Sequence, residues 1–348
     1  MTNVTVSAVK PLVAAEGIAS LSGTKVADWL RGNTIHNTLS GGLGADTLEG
    51  LEGNDTYRVD DPGDVVLEGV ASGIDAVIST VSYRLPQYVE QLRLIGKNAI
   101  DGQGNELDNL LIGNAGNNVL DGGEGRDTVS FRASKGPVRV DLSSEKPQQI
   151  GEGNGIDTLL NIERLVGSRF DDHLIGHEGR NTLTGGQGAD TLQGEAGADR
   201  LIGGGGRDTF VLDHPDGTDI LVDFVPGTDR IGIDQTRLPV GDQDEVIEGA
   251  VVVKGLQGFS PRAEFVRFAA DLNGRLDSGS AAALIRSADR SFALGHTALF
   301  VLENNRGDSG VFYFRASDTD SRVAEHELKL VGVVAATGLD ESDFVLMA

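Results

Sequence analysis

The sequence lacks cysteine altogether and is poor in aromatic and basic residues. Without cysteine, disulfides and thiolate metal sites are excluded. Aromatic residues make up 5 % of the chain, and 53 acidic residues outnumber 29 basic ones to give a formal net charge of −24. Such a chain repels nucleic acid and anionic membranes and attracts cations. No run approaches the roughly 18 apolar residues of a membrane-spanning helix, and the beginning of the chain does not read as a cleavable signal peptide.

Glycine, in contrast, is abundant, with 49 residues among 348. A sequence that is both acidic and glycine-rich is close in composition to a disordered polymer, because it can bury little apolar surface. We therefore expect something other than a large apolar core to help fold it.

The glycines recur every nine residues. Twelve nonapeptide units fall into blocks of four, three and five, which begin at Gly23, Gly104 and Gly167. Position 1 is glycine in all twelve. Position 6 carries an acidic or amide side chain: Asp28, Asn37, Asp46, Asp55, Asn109, Asn118, Asp127, Asp172, Asn181, Asp190, Asp199 and Asp208. Position 8 is always apolar: Leu30, Leu39, Leu48, Tyr57, Leu111, Leu120, Val129, Leu174, Leu183, Leu192, Leu201 and Phe210.

Each column of the repeat has a physical reading. Glycines at position 1, and usually at position 4, permit the positive φ of a tight turn and let carbonyl oxygens point to a common centre. Positions 7 to 9 form a short strand whose residue at position 8 points inward, and stacking of units is needed to bury it. Carbonyls and carboxylates from stacked turns would make an all-oxygen site suited to calcium.

Two readings without metal compete with this one. A flexible glycine-rich linker would not keep an apolar residue in one phase through twelve units. A β-helix held by asparagine ladders is disfavoured because eight of the twelve position-6 residues are aspartate, and stacked like charges repel unless a cation lies between them.

The units GGLGADTLE, GGQGADTLQ and GGGGRDTFV resemble the GGxGxDxUx nonapeptide of RTX (repeats-in-toxin) proteins. The tail TDILVDFVPGTDRIGI is similar to the roll-closing segment of serralysin-type peptidases, so the likeness covers about residues 23–235. It implies an all-β fold: a parallel β-roll, or right-handed β-helix, with β inserts and a small C-terminal β-rich capping module. Two nonapeptides would make one turn, and calcium would lie between units i and i+2.

The resemblance also implies which residues bind several calcium ions. Asp190 would share an edge with Asp208 and with Asp172, and Asp28 with Asp46. Asn181 would face Asp199 in a weakened site. The complete predicted set is Asp28, Asp46, Asp55, Asp127, Asp172, Asp190, Asp199, Asp208, Asn181, Gly185, Gln187, Gly194, Ala196, Gly203, Gly205, Asp219 and Asp223. Block two has Asp127 as its one carboxylate, so we expect its site to be the weakest or empty.

The same pattern divides the chain into seven segments. They are a lead-in (1–22), block one (23–58), a β insert (59–103), block two (104–130), a β-hairpin insert (131–166), block three (167–211) and a closing and capping module (212–348). The 54 residues from Gly50 to Gly104 equal six nonapeptides, so the insert could occupy whole turns of one roll. Two or three short rolls joined by hairpins are the alternative.

The C-terminal third alternates apolar and polar residues in ALFVLE, GVFYF and HELKLVGVV, which predicts strands, and SGSAAALIRSA predicts a short helix. The final GLDESDFVLMA looks like the uncleaved C-terminal signal of a type I secretion substrate, or else is an ordinary last strand.

Catalytic motifs are not recognised. Six histidines include no HExxH pair, Ser309 lacks the spacing of a nucleophile elbow, and the glycine runs do not open a nucleotide-binding unit. The leading hypothesis is a non-enzymatic bacterial protein, secreted or at the cell surface, that folds on extracellular calcium. Its partners would be the type I secretion machinery and an acidic polysaccharide or cell-surface glycan, not nucleic acid. Alternatives are an accessory part of a polysaccharide-modifying enzyme system and, with little support, a toxin.

Overall fold

A computed structural model describes residues 10–70, 72–241, 246–248, 250–253, 259–260, 262–272, 275–285, 293–318 and 322–347. Nearly all regular structure in this part of the chain is β. It contains one α-helix, α1 (Ser278–Ile285), and two 3-10 turns, Glu325–Glu327 and Glu341–Asp343. The predicted all-β, parallel β-roll class is confirmed.

Most strands are only three or four residues long, as the nonapeptide predicts. The first half of the chain contains β1 (Leu12–Val13), β2 (Ser20–Ser22), β3 (Trp29–Arg31), β4 (Thr38–Ser40), β5 (Thr47–Glu49), β6 (Thr56–Val59), β7 (Val65–Leu67), β8 (Ala76–Ser79), β9 (Tyr83–Arg84), β10 (Gln91–Leu94), β11 (Gly102–Gln103), β12 (Leu110–Ile112), β13 (Val119–Asp121), β14 (Thr128–Ser130), β15 (Arg139–Asp141), β16 (Gln148–Gly151), β17 (Gly155–Leu160) and β18 (Arg164–Val166). The second half contains β19 (His173–Ile175), β20 (Thr182–Gln187), β21 (Thr191–Gln193), β22 (Arg200–Gly205), β23 (Thr209–Leu212), β24 (Asp219–Leu221), β25 (Arg230–Asp234), β26 (Val251–Val253), β27 (Phe265–Leu272), β28 (Thr297–Asn304), β29 (Ser309–Arg315), β30 (Leu328–Val334) and β31 (Phe344–Met347).

The chain divides into two compact units, and the first comprises residues up to Lys135 together with Ser144–Arg164. In it, alternate strands stack in parallel as β1-β3-β5-β7 and β2-β4-β6-β8-β10-β12-β14. A third stack, β9-β11-β13-β17, ends on β16, which pairs antiparallel with β17. Neighbours within a repeat block are 18 residues apart, as in the pairing of Leu39 with Tyr57, so two nonapeptides make one turn.

The apolar residues at position 8 form the interior of these stacks. All twelve are fully buried, including Leu30, Leu111 and Phe210. Each faces its counterpart one turn away, as Leu30 faces Leu48. A single unit could not bury such a residue, so the stack is stabilised by contacts between neighbouring turns.

The segment between the first two blocks continues these stacks although it lacks the glycine columns. Val66 pairs with Leu48, Val77 with Tyr57, and Leu92 with both Val77 and Leu111. The strands of residues 65–103 therefore take positions within the stacks of the first unit.

The second unit comprises Gly136–Ser143 and residues from Leu165 onward. One parallel stack is β15-β19-β21-β23-β25-β31, and another runs through β18-β20-β22-β24. In the second stack β24 pairs with β30, from which the sheet continues as β29-β28-β27-β26. Antiparallel pairs flank β29, so the parallel pattern of the repeats ends there.

The C-terminal strands pack around an apolar cluster of their own. Phe259, Phe300, Phe312 and Phe314 are buried in it, and α1 contributes Ala281 and Ile285. The predicted strands and the predicted helix are confirmed over 278–285; the rest of that helix prediction, at 286–288, lies outside the described residues.

The final segment pairs in register with the closing segment of the roll, because β31 lies parallel to β25. Among the described helices, none has the length and apolar character needed to cross a membrane.

Candidate calcium-binding turns

The position-6 side chains form a hydrogen-bonded ladder along the edges of the stacks. In each, a side-chain oxygen accepts the backbone N–H of the position-6 residue one turn earlier. Asp190 accepts from Asp172 at 2.8 Å, and Asp208 accepts from Asp190 at 3.0 Å. Asp199 likewise accepts from Asn181 at 2.7 Å. The implied neighbours in block three therefore lie together, and Asp28 donates in the same way to Asp46 at 2.7 Å.

The ladder also includes residues that lie outside the nonapeptides. These side chains accept an N–H of the preceding turn in the same way: Asp64, Asp75, Glu90, Asp157, Glu163, Asp219, Asp229 and Asp343. The sequence analysis found only Asp219 among them. Most precede an apolar residue by two positions, as in Asp75-Ala76-Val77 and Asp157-Thr158-Leu159. That triplet was the signal left where the glycines are missing.

The twelve repeat turns fall into two classes, and the first we call closed turns. In a closed turn the N–H of position 2 donates to a side-chain oxygen at position 6 of the same unit. Examples are Asn33 to Asn37 at 2.7 Å and Thr24 to Asp28 at 2.6 Å. The six closed turns begin at Gly23, Gly32, Gly104, Gly113, Gly167 and Gly176. They are the first two units of every block, and they contain all four asparagines.

The other six we call open turns, which begin at Gly41, Gly50, Gly122, Gly185, Gly194 and Gly203. Their residue at position 2 has positive φ: Gly42, Leu51, Gly123, Gly186, Glu195 and Gly204. Position 6 is aspartate in each. In five of them its second oxygen, Oδ2, is buried and has no hydrogen-bond partner: Asp46, Asp55, Asp127, Asp190 and Asp199. Asp157 has the same unpartnered Oδ2.

Backbone carbonyl oxygens lie close to these turns, in spaces that only glycine leaves open. A Cβ on Gly185 would meet both Asp190 Oδ2 and the carbonyl oxygen of Gly203. On Gly186 it would meet the carbonyl oxygen of Ser168, and on Gly188 the carbonyl group of Phe170. The carbonyls that face an open turn thus come from positions 2 and 4 of the turn before it, and from position 1 of the turn after it.

This donor set fits calcium. Its atoms are all oxygens, they come from carboxylates and carbonyls, and they include a buried anionic oxygen that no protein donor satisfies. Such an unpaired buried carboxylate costs free energy unless a proton or a cation accompanies it.

Burial makes the same carboxylates hard to ionise. Desolvation raises the pKa of Asp55, Asp190 and Asp199 to about 7, and that of Asp127 to about 6. Hydrogen bonds from backbone N–H groups oppose this shift without cancelling it. A bound divalent cation would supply the missing positive charge.

A family model for the RTX calcium-binding nonapeptide repeat matches the chain in four copies, at residues 22–57, 103–133, 161–192 and 175–210. The chain is an RTX-type calcium-binding repeat protein. Calcium is therefore its metal, and the buried aspartates are consistent with several calcium sites. No curated protein matches the chain at a significant level.

The structure divides the predicted ligands of this RTX protein. Asp46, Asp55, Asp127, Asp190, Asp199 and Asp208 lie in open turns. Asp28 and Asp172 lie in closed turns, where a position-2 N–H already binds their Oδ2. Asn181 also lies in a closed turn, while its Nδ2 is buried without a hydrogen-bond partner.

The remaining predicted ligands surround the open turns of block three. Gly185 and Gly203 present carbonyl oxygens toward the position-1 glycine of the preceding turn, as does Gly194. The Gly205 carbonyl accepts the Gly188 N–H at 2.9 Å. Gln187 ends β20, and Ala196 lies in the turn that begins at Gly194.

The last two predicted carboxylates follow the repeats. Asp219 accepts the Asp199 N–H at 3.1 Å, and burial, with the nearby Asp199 charge, raises its pKa to about 8. Asp223 accepts the N–H groups of Gly203 and Gly204 at 2.9 and 2.8 Å.

Proposed function

We propose that this RTX protein is exported from a bacterium without its folded structure and folds outside the cell when calcium fills its open turns. The observation that carries the proposal is the set of buried, unpartnered carboxylate oxygens in five open turns. In low calcium these groups oppose closure of the turns, because each must be desolvated without a counterion. Calcium removes that cost, so metal binding and folding are one process.

The metal-binding residues of this proposal are the predicted set, in two roles. Open-turn aspartates supply the carboxylates, and carbonyls of the adjacent turns complete the coordination. Asp28, Asp172 and Asn181 contribute through the turn that they close and not through a free side-chain oxygen.

The C-terminal segment serves the same proposal in two states. As an unfolded, acidic-then-apolar tail it is the signal that type I secretion machinery reads. After export Phe344–Met347 pairs with β25, and Asp343 accepts the Gly227 N–H at 2.8 Å.

The testing experiment is far-UV circular dichroism of the purified chain during a titration from excess EDTA to millimolar calcium, with magnesium as the control ion. We expect a cooperative coil-to-β transition that requires calcium. The double variant Asp190→Ala, Asp208→Ala should raise its calcium midpoint. A spectrum that is β-rich in EDTA and indifferent to calcium would instead mean that packing alone holds the roll.

We further propose that the folded protein is a non-enzymatic binding protein for an acidic polysaccharide or a cell-surface glycan. A cleft of about 330 Å³ in the first unit supports this role. Arg93 lines it together with the amide side chains of Asn114 and Asn154, the hydroxyl of Ser130, and Phe131. A cation, amides and hydroxyls beside an aromatic ring suit a sugar that carries carboxylates.

The alternative is an accessory part of a polysaccharide-modifying enzyme system. Incubation of the calcium-loaded protein with alginate and other acidic polysaccharides separates the two. Retention without product supports the binding protein, and turnover would establish an enzyme. Arg93→Ala should weaken retention if the cleft is the binding site, whereas Arg132→Ala, an exposed arginine of the same unit, should not.

A further inference from the structure

The last turn of block one contains a cluster of three carboxylates that the nonapeptide does not account for. One oxygen each from Asp55, Glu68 and Asp75 lies within 4.8 Å of the other two. Asp55 belongs to the repeat, but Glu68 and Asp75 lie beyond residue 57, where the family match of this block ends. The cluster therefore joins a repeat turn to a turn of different sequence.

An enlarged turn brings Glu68 to this place. Along the ladder Asp55 is followed by Asp75, an interval of 20 residues where the repeats have 18. The longer segment is held by its own hydrogen bonds: Ser72 Oγ donates to the Gly69 carbonyl at 2.8 Å, and the Gly69 N–H donates to Glu68 Oε2 at 3.1 Å. Ser72 Oγ also lies 3.3 Å from Asp75 Oδ2.

Glu68 replaces a backbone carbonyl of the ordinary turns. A Cβ on Gly32, Gly104 or Gly167 would meet the carbonyl oxygen of the position-1 glycine one turn later. A Cβ on Gly50 would meet Glu68 Oε1 instead, together with Asp55 Oδ2 and the Tyr57 hydroxyl.

Tyr57 also distinguishes this turn, because it is the one tyrosine in the apolar column of the repeats. Its ring is fully buried, and its hydroxyl donates to Glu68 Oε1. The phenol thus fixes one oxygen of Glu68 at the edge of the stack.

A separate observation indicates that this cluster has a ligand. Asp55 is 1 % exposed, and its Oδ2 has no hydrogen-bond partner although it points into the cluster. In the part of the chain that the structure describes, no lysine or arginine forms an ion pair with any of the three carboxylates. Three carboxylates this close repel one another strongly unless a cation lies between them.

We propose that Asp55, Glu68 and Asp75 form a calcium site of side-chain carboxylates, which fastens the non-repeat turn 68–75 to the last repeat turn of block one. The ligand is a hard divalent cation because every donor is oxygen and neither thiolate nor imidazole takes part. Three carboxylates give it more negative charge than the carbonyl-rich repeat turns have, and ligand charge raises calcium affinity.

The test compares Glu68→Gln with Glu52→Gln. Both variants remove one negative charge, but Glu52 is exposed and lies outside the cluster. Calcium bound to the full chain is measured by equilibrium dialysis and elemental analysis. We expect Glu68→Gln to lose one ion per chain at limiting calcium, or to bind it about tenfold or more weakly. Glu52→Gln should match the parent protein.

Terbium provides a readout that does not depend on the stability of Glu68→Gln. Tyr57 touches the proposed site, so a terbium ion there should emit when tyrosine is excited. Tyr57→Phe should keep the number of bound ions and lose that emission, and Trp29 remains as the constant background fluorophore.

Unchanged emission in Tyr57→Phe, or an unchanged calcium count and affinity in Glu68→Gln, would overturn the site. Either result would leave calcium binding by the open turns of block three intact, and neither bears on export.

Discussion

At the scale of single residues, the conformation of position 2 decides what the aspartate at position 6 can do. With negative φ its N–H caps that side chain, as Ser168 does for Asp172. With positive φ the cap is lost and Asp190 keeps a free, buried Oδ2. Asparagine is adequate in the first case, where the side chain needs only an acceptor oxygen, and its occurrence in closed turns alone follows from this.

The matched pair Asp190→Asn and Asp172→Asn tests the distinction. We expect Asp190→Asn to raise the calcium midpoint of folding, because a neutral amide replaces a ligand of an open turn. Asp172→Asn should shift it much less, because asparagine does the same work in the closed turn of Asn37. Calcium titrations followed by circular dichroism measure both. Equal shifts would contradict the two classes of turn.

Gly186 is the glycine for which backbone conformation should matter most clearly. Its φ is +126°, and a Cβ there would meet the Ser168 carbonyl oxygen. Gly186→Ala should lower the free energy of unfolding in saturating calcium by about 1–3 kcal/mol. Gly205→Ala is the control, since its Cβ would meet nothing within 4 Å. Urea unfolding distinguishes them, and two small, equal effects would mean that the turn can relax.

At the scale of the strand, one apolar residue per turn supplies the interior. Leu221 and Ile220 are neighbours in β24, yet Leu221 is fully buried and Ile220 is 44 % exposed. The strand alternation that the sequence predicts is therefore realised even outside the nonapeptides.

Leu221→Ala should cost about 2–5 kcal/mol of unfolding free energy, because it leaves a cavity in a continuous column. Ile220→Ala, on the outer face, should cost within about 0.5 kcal/mol. Denaturant unfolding in saturating calcium measures both costs. A similar loss in the two variants would show that the column does not carry the stability of the second unit.

At the scale of the whole molecule, acidity and calcium oppose each other through the buried carboxylates. Asp55, Asp190 and Asp199 have folded-state pKa values of about 7, above the model value of 3.8. Between these limits the calcium-free folded chain binds more protons than the unfolded chain. The stability that these groups contribute is present below the unfolded value and is lost as the pH rises through about 7.

The calcium-free protein should therefore keep more β structure near pH 5 than at pH 8. At pH 8 calcium should restore the fold, and its apparent affinity should fall as acid drops below pH 7, because protons then compete for the same oxygens. Circular dichroism at the two pH values, in EDTA and in calcium, checks this. More structure at pH 8 than at pH 5 in EDTA would contradict it.

The nonapeptide columns sufficed to predict a good deal of the fold. Glycine, aspartate and an apolar residue at fixed phase predicted the parallel roll, the buried residues at position 8 and the neighbours 18 residues apart. These features depend on local turn geometry and on a period of two units. They are therefore readable in any single block. The seven-segment division and the metal-ligand set stay predictions.

Other features could be decided only by the tertiary structure. Asp75, Asp157 and Glu68 reach the calcium-binding edge through turns of irregular length, and no fixed spacing marks them. Closed and open turns differ in one backbone dihedral angle, which Leu51 and Glu195 adopt without being glycine. The sequence by itself determined the repeat and its calcium chemistry, since both are encoded within nine residues. Which carboxylates remain unpartnered was decided by the stacking of turns, because only there do the N–H groups of one turn meet the oxygens of the next.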